Sequence, residues 1–345
     1  MPGLGTLLIQ EELPGELWLP ASARAYRIEY TSTSWSGNPT VVSGAVFFPE
    51  GTAPPGGWPA VSWAHGTAGA ADICAPSRAG RPQRDIDYLN TWQRAGYVVA
   101  ATDYEGLGMP GRHPYDDGRS EAYGVIDMVR AAAGMAVPLS RSWVAVGQSQ
   151  GGHAALWTAS LAASYAPELD FRGAVATAPA TQFLASTQAL PPLNPDDLAI
   201  AGVFMLGIGY LATHPDWDPG QFFTPRGKEV LHLAETRYCY DALGEFIAAE
   251  HITNGDVLCD MLVLPRFAQL MRYDEIPIER YSAPVYIAQG TADRLLIPGM
   301  TEKTAGELAA AGTDVTFRYY QDADHDTIIT AALPDLMRWV SARFA

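Results

Sequence analysis

Residues 143–152 have the sequence WVAVGQSQGG, and this stretch decides the fold. Its first four residues are apolar, which favours a buried β-strand, and the small residues from Gly151 onward favour a helix packed closely against a sheet. Between them, Gly147, Ser149 and Gly151 form the pattern G-x-S-x-G, which places a serine on a sharp strand-to-helix turn with its hydroxyl exposed. The alternative is an ordinary strand–turn–helix unit with a solvated serine, but the flanking strand and helix favour Ser149 as a nucleophile.

Strands and helices alternate on both sides of this stretch. Two antiparallel strands are predicted at 26–34 and 41–48. Further apolar strands are predicted at 59–64, 97–102, 142–146, 171–177, 283–289 and 314–320, and helices at 83–95, 121–134, 150–165, 300–312 and 328–344. Because such alternation produces right-handed crossovers and a parallel sheet, the sequence predicts the α/β-hydrolase fold, with a mostly parallel central sheet flanked by helices.

The alternation stops in one long segment. Residues 182–279 are mostly helical, are interrupted by prolines, and contain no strand of the earlier kind. The chain is therefore predicted to consist of a first core part (1–181), an inserted helical cap (182–279) and a second core part (280–345). A separate second domain is the alternative, but the sheet pattern is completed only by residues that follow the insertion.

The chain order of this fold, serine then acid then histidine, indicates the partners of Ser149. Asp293 follows the predicted strand at 285–288, and His325 follows the strand at 315–319. Both should lie at the carboxyl edge of the sheet, where Ser149 also lies. The sequence predicts His325 as the base and Asp293 as the residue that orients it. The competing acids are Asp322, Asp324 and Asp326.

Backbone N–H groups near Ser149 are the candidates for an oxyanion hole. Gly66 and Thr67 follow the third predicted strand, where this fold places one donor, and the N–H of Gln150 is the predicted second donor. A plain glycine turn at 65–67 is the alternative.

Composition narrows the range of partners. The 345 residues carry 38 acidic and 22 basic side chains, a formal net charge of −16. Nucleic-acid binding is disfavoured, because phosphate contacts need basic side chains gathered on one face. No apolar run approaches the ~20 residues of a membrane span, and the N-terminus lacks the features of a signal peptide. No metal-ligand or cofactor motif is present, so neither a metal nor a cofactor is predicted.

The three cysteines are Cys74, Cys239 and Cys259. They allow one disulfide and one free thiol in three possible pairings. Three reduced cysteines in a cytosolic protein are the alternative.

Four motifs in order carry a resemblance to a known family. They are SWAHGT at 62–67, CAPS at 74–77, DYEGLG at 103–108 and QSQGG at 148–152. Together they resemble the secretory lipase family in its bacterial branch, and the resemblance extends from about Thr31 to the C-terminus.

The resemblance implies a core with a helical cap, and hydrolysis of acylglycerols or simpler esters by Ser149, Asp293 and His325. It implies a bridge from Cys74 to a cap cysteine, with Cys259 favoured over Cys239. It also implies export as a mature form, whereas the missing signal peptide allows a cytoplasmic location. Fungal members carry an acidic residue in the oxyanion loop, where this chain has His-Gly-Thr at 65–67.

These observations predict a serine-dependent carboxylic ester hydrolase that forms an acyl-enzyme on Ser149. Its expected partner is a small ester or lipid substrate, with transient contact to a lipid interface. The apolar cap residues at 204–211, 217 and 222–223 would form an acyl pocket or, alternatively, the cap's own core. The alternative functions are a serine peptidase or amidase, an acyltransferase, and a non-catalytic binding protein.

Overall fold

A nine-stranded sheet forms the centre of the computed structural model, which describes residues 3–345. The strands are β1 (Leu7–Glu12), β2 (Ser22–Thr33), β3 (Pro39–Pro49), β4 (Trp58–Ala64), β5 (Val98–Thr102), β6 (Leu139–Gln148), β7 (Asp170–Thr177), β8 (Val285–Gly290) and β9 (Val315–Tyr320). Across the sheet they follow the order β1-β2-β3-β5-β4-β6-β7-β8-β9. In this order across the sheet, the pairs β1–β2, β2–β3 and β3–β5 are antiparallel, and every pair from β5–β4 onward is parallel. The predicted α/β-hydrolase sheet is therefore confirmed.

The edge strand β1 is absent from the sequence prediction. It pairs antiparallel with β2, and most of its side chains are exposed. A strand that is exposed on an edge shows no alternation of apolar and polar residues, and that alternation is the signal from which strands are predicted.

Helices cover both faces of the sheet. Those of the core are α1 (Pro76–Ala79), α2 (Gln83–Arg94), α3 (Gly118–Ala133), α4 (Gln150–Tyr165), α11 (Pro298–Ala310) and α12 (Ile328–Ser341). Along β6, Val144 and Val146 pack with α2 and α12, whereas Trp143 and Ala145 pack with α3, α4 and α11. Because strand side chains alternate between faces, a continuous apolar strand such as β6 fills both layers.

Six helices lie between β7 and β8. They are α5 (Phe183–Ala189), α6 (Ala201–Thr213), α7 (Pro225–Thr236), α8 (Tyr240–Ala249), α9 (Asn254–Val257) and α10 (Val263–Leu270). Phe204, Phe222 and Phe223 are buried in a cluster made largely of these helices, so these three aromatic residues form an apolar core there. The division of the chain at 182 and 279 remains a prediction. Among the helices of residues 3–345, none is long and apolar enough to cross a membrane.

The disulfide joins Cys74 to Cys239, and Cys259 is free and exposed. The preference for Cys259 that the family resemblance implied is therefore wrong. The backbone N–H of Tyr240 donates to the carbonyl of Ala68 at 3.0 Å, which brings the start of α8 beside the loop after β4. This contact places the Cα atoms of Cys74 and Cys239 5.3 Å apart, within the range that a disulfide spans.

Candidate active site

Ser149 lies on the turn between β6 and α4. Its backbone has φ 59° and ψ −121°, a conformation that residues with a side chain rarely adopt. The serine N–H donates to the carbonyl of Thr177 at 3.0 Å, which ties the turn to β7. A Cβ on Gly147 would overlap the carbonyl of Gly151, and a Cβ on Gly151 would overlap the carbonyl of Ala64. Both glycines of the pattern are thus steric requirements of the turn.

The side chains of Ser149, His325 and Asp293 form a continuous hydrogen-bonded row. Nε2 of His325 lies 2.9 Å from Oγ of Ser149, and Nδ1 of His325 lies 2.9 Å from Oδ2 of Asp293. Because an ionised carboxylate only accepts hydrogen bonds, Nδ1 carries a proton and Nε2 presents its lone pair to the serine hydroxyl. The parallel register of β6, β7, β8 and β9 brings these residues together from three separate loops.

Asp293 is held in place by donors on both carboxylate oxygens. Oδ1 accepts the backbone N–H groups of Leu295 and Leu296, each at 2.9 Å, and Oδ2 also accepts Nε2 of Gln289 at 3.0 Å. Burial alone would raise the pKa of Asp293, but the bonds from His325 and these other donors outweigh burial and lower it. The carboxylate is therefore ionised at neutral pH.

The competing acids do not contact the His325 ring by hydrogen bonds. Asp324 caps the turn at Thr327, accepting its backbone N–H at 2.8 Å. Asp326 pairs with Arg84 at 2.7 Å, and Asp322 donates its backbone N–H to Thr291.

Gln148 and Arg84 support His325 and were missed from the sequence. Nε2 of Gln148 donates to the backbone carbonyl of His325 at 3.0 Å and lies 3.3 Å from the ring Nε2. Arg84, on α2, donates to Oε1 of Gln148 at 3.3 Å and also pairs with Asp85 and Asp326. The position of Gln148 inside the G-x-S-x-G pattern is a signal that it lies near Ser149, whereas no local pattern indicates Arg84.

The loop after β4 passes directly beside Ser149. A Cβ on Gly66 would lie 3.7 Å from Cβ of Ser149. Tyr104 donates its hydroxyl to the carbonyl of His65 at 2.9 Å, and Nδ1 of His65 donates to the carbonyl of Gly66 at 2.7 Å. Thr67 bonds through its hydroxyl to Tyr115 at 2.8 Å. These contacts order the loop, and the roles of Gly66, Thr67 and Gln150 as oxyanion donors remain predictions.

A mostly parallel sheet with a strained serine turn, and with acid and histidine following in that chain order, defines the α/β-hydrolase class. Similar folds are found in a rice cell wall degrading esterase from Xanthomonas oryzae (TM-score 0.77, 20% identity, 98% of this chain and 100% of that chain covered). Candida antarctica lipase A in its closed state is also similar (TM-score 0.78, 21% identity, 99% and 82% covered). At these identities the structures show the shared fold.

The sequence profile described as "Secretory lipase" matches residues 80–345, which is most of the chain. The chain belongs to the secretory lipase family. A secreted triacylglycerol lipase of Malassezia furfur is 26% identical, over 79% of this chain and 75% of that protein. A Mycobacterium tuberculosis protein named "Probable inactive lipase" is 24% identical, over 95% of this chain and 75% of that protein. Family and fold together make the chain a carboxylic ester hydrolase of the lipase and esterase type.

Proposed function

We propose that the hydrolysis proceeds through an acyl-enzyme on Ser149. The observation that carries this proposal is the row of two 2.9 Å contacts from Ser149 through His325 to Asp293. Ser149 Oγ attacks the ester carbonyl while His325 Nε2 takes its proton and passes it to the leaving alkoxide. A water molecule that gives its proton to His325 then attacks the acyl carbonyl, the bond to Ser149 Oγ breaks to release the acid, and His325 returns the proton to Oγ. Asp293 stabilises the imidazolium that forms in both steps.

The negative charge of each tetrahedral intermediate develops on the former carbonyl oxygen. The backbone N–H of Gln150 and that of Gly66 or Thr67 are the donors proposed to receive it. A preorganised donor of this kind is worth about 3 kcal/mol of transition-state stabilisation. The 16-residue helix α4 adds the positive end of its dipole at the same point.

The proposed substrates are acylglycerols and simple acyl esters. A small apolar cavity of about 30 Å³ lies among α5, α6 and α10, and it is lined by Phe183, Thr187, Leu206, Leu264, Ala268 and Met271. Phe183 also packs against His153 of α4, with 5.4 Å between ring centroids, so the cavity adjoins the helix that begins at Ser149. Because ligand pockets usually measure about 300–1,000 Å³, this cavity is too small for an acyl chain, and the proposed substrate class rests on the family instead.

One relative carries the name of an inactive lipase, and that name is not extended to this chain. The contacts among Ser149, His325 and Asp293 support an active enzyme, because each residue already has the geometry that its step needs. The named triacylglycerol lipase among the relatives supports acylglycerols as a substrate class.

The test is hydrolysis of p-nitrophenyl esters from acetate to palmitate, with and without an emulsified lipid interface. We expect the wild type to hydrolyse these esters and Ser149→Ala to hydrolyse none of them. Ser160→Ala is the matched control, because Ser160 lies on α4 but bonds outward to Glu279. Inactivity of the wild type on every ester, or full activity of Ser149→Ala, would refute the proposal.

A further inference from the structure

A buried polar cluster lies beneath the serine turn and uses the side chain of Gln150. This side chain is only 2% exposed and points away from the solvent toward α3. Its Nε2 lies 2.8 Å from Oε1 of Glu121 and 3.1 Å from Nε2 of His113. A primary amide has two N–H donors, so both can be used here.

The protonation of His113 follows from its other contact. Nδ1 of His113 lies 2.9 Å from the carbonyl oxygen of Glu105, which can only accept a hydrogen bond, so Nδ1 carries the proton. Nε2 of His113 is then a lone-pair acceptor for Gln150. Burial lowers the pKa of His113 to about 4, which keeps the ring neutral and this acceptor intact at neutral pH.

Glu121 is fully buried and is held from three sides. Its Oε1 accepts the backbone N–H of Asp116 at 3.1 Å as well as the amide of Gln150, and its Oε2 lies 3.4 Å from Nδ1 of His153. Nε2 of His153 donates to the carbonyl of Asp274 at 2.6 Å. Burial alone would lower the pKa of His153, but the contact with Glu121 outweighs it and raises the pKa to about 9. A charged His153 therefore faces Glu121 at neutral pH.

We propose that Glu121 and His113 are positioning residues of the oxyanion hole, and that they act by clamping the side chain of Gln150. The inference rests on the proposed function, in which the backbone N–H of Gln150 receives the developing negative charge. That N–H belongs to the first residue of α4, so no carbonyl of the helix fixes its direction. The preceding residue, Ser149, has a rarely occupied conformation that its neighbours must maintain. With both hydrogens of its side-chain amide bonded, to Glu121 and His113, the Gln150 side chain restrains the plane of the Ser149–Gln150 peptide.

Three variants test this role. Gln150→Met keeps the length of the side chain and removes both donors, and Glu121→Met keeps the length and removes the oxygen that accepts from Gln150. The matched control is Asp127→Asn, because Asp127 is also buried on α3 but bonds to Ser32 and Tyr165, away from Ser149. The measured quantities are kcat and KM on a short p-nitrophenyl ester, the melting temperature, and the inhibition constant of an alkyl boronic acid. The boronic acid forms a tetrahedral adduct with the serine and presents an oxygen to the oxyanion hole.

We expect kcat to fall about 10- to 100-fold in both test variants, since complete loss of one donor costs about 10²- to 10³-fold. KM should stay within about twofold of the wild-type value. The inhibition constant of the boronic acid should rise by the same factor by which kcat falls. Asp127→Asn should lower only the melting temperature. If Gln150→Met fails to fold, Glu121→Met carries the test.

Two results would overturn the inference. One is a folded test variant with wild-type kcat and boronic acid affinity, and the other is a loss of kcat without any loss of boronic acid affinity. An inactive wild type, or an active Ser149→Ala, would instead refute the proposed function and remove the basis of the inference. The outcomes are distinguishable because Ser149→Ala is measured beside the other variants.

Discussion

The bridge between Cys74 and Cys239 should contribute substantially to stability, and its contribution can be worked out from the structure. The two cysteines are 165 residues apart in the chain, so the bridge closes a long loop that includes β5, β6 and β7. Closing a loop of this length lowers the entropy of the unfolded chain by an amount worth about 5 kcal/mol at 25 °C. Since unfolding entropy is about 2.1 cal/mol/K per residue near 60 °C, loss of the bridge should lower the Tm of this chain by about 7 °C.

The measurement is a thermal unfolding scan in a Cys259→Ser background, with and without a phosphine reductant. That background removes the exposed thiol, which could otherwise exchange with the bridge. Cys74→Ala combined with Cys239→Ala should reproduce the Tm of the reduced protein. Cys259→Ser by itself should leave the Tm unchanged, because its thiol has no disulfide partner.

A thiol titration of the denatured wild type distinguishes the possible failures. We expect one free thiol before reduction and three after it. Three thiols before reduction would show that the bridge does not form. One thiol before and three after, with no change in Tm, would refute the loop-closure reasoning while leaving the pairing intact.

Three further predictions concern the catalytic row, the buried acids and the serine turn. Asp293→Asn should lower kcat about 10⁴-fold in a folded protein, because the amide no longer holds the proton on Nδ1 of His325; steady-state kinetics beside a circular dichroism spectrum measure this, and a loss below about tenfold would contradict the assigned role. Burial raises the pKa of Asp274 to about 8, so its stabilising effect is complete below its unfolded pKa of about 4 and is lost as the pH rises through about 8. Tm should therefore fall more steeply between about pH 4 and 8 in the wild type than in Asp274→Asn, and equal slopes would refute this. A methyl group on Gly151 would overlap a backbone carbonyl of β4, so Gly151→Ala should give little soluble protein, whereas Gly244→Ala, with open space around it, should give normal yields in the same expression test.

The sheet and the serine turn could be predicted because their determinants are local. Gly147 is required by the backbone of Gly151, four residues later in the same turn, so the pattern around Ser149 carries its own signal. The positions of Asp293 and His325 needed only one further fact, that parallel strands end at a common edge. The structure brings both side chains into a row with Ser149.

Features that depend on distant segments could not be predicted. The pairing of Cys74 is decided by a backbone contact between Ala68 and Tyr240, and the sequence around Cys239 and Cys259 carries no sign of it. Arg84 on α2 contacts Gln148 at the end of β6 only because folding brings these two distant segments together. The edge strand β1 lacks a pattern because little of it is buried.

The buried acids beneath Ser149 are the clearest case of a feature that stability alone does not explain. A buried charged group costs several kcal/mol of desolvation, and well-packed apolar residues of similar volume are often at least as stable as a buried ion pair. Glu121 and His153 are both fully buried, so their effect on folding gives no reason to prefer them to apolar side chains. Their contacts give a reason, because Glu121 holds the amide of Gln150, the residue directly after Ser149. Under the proposed role of Glu121 as a positioning residue, a charge kept at such a cost beside the serine turn is accounted for by the geometry that it gives to the backbone N–H of Gln150.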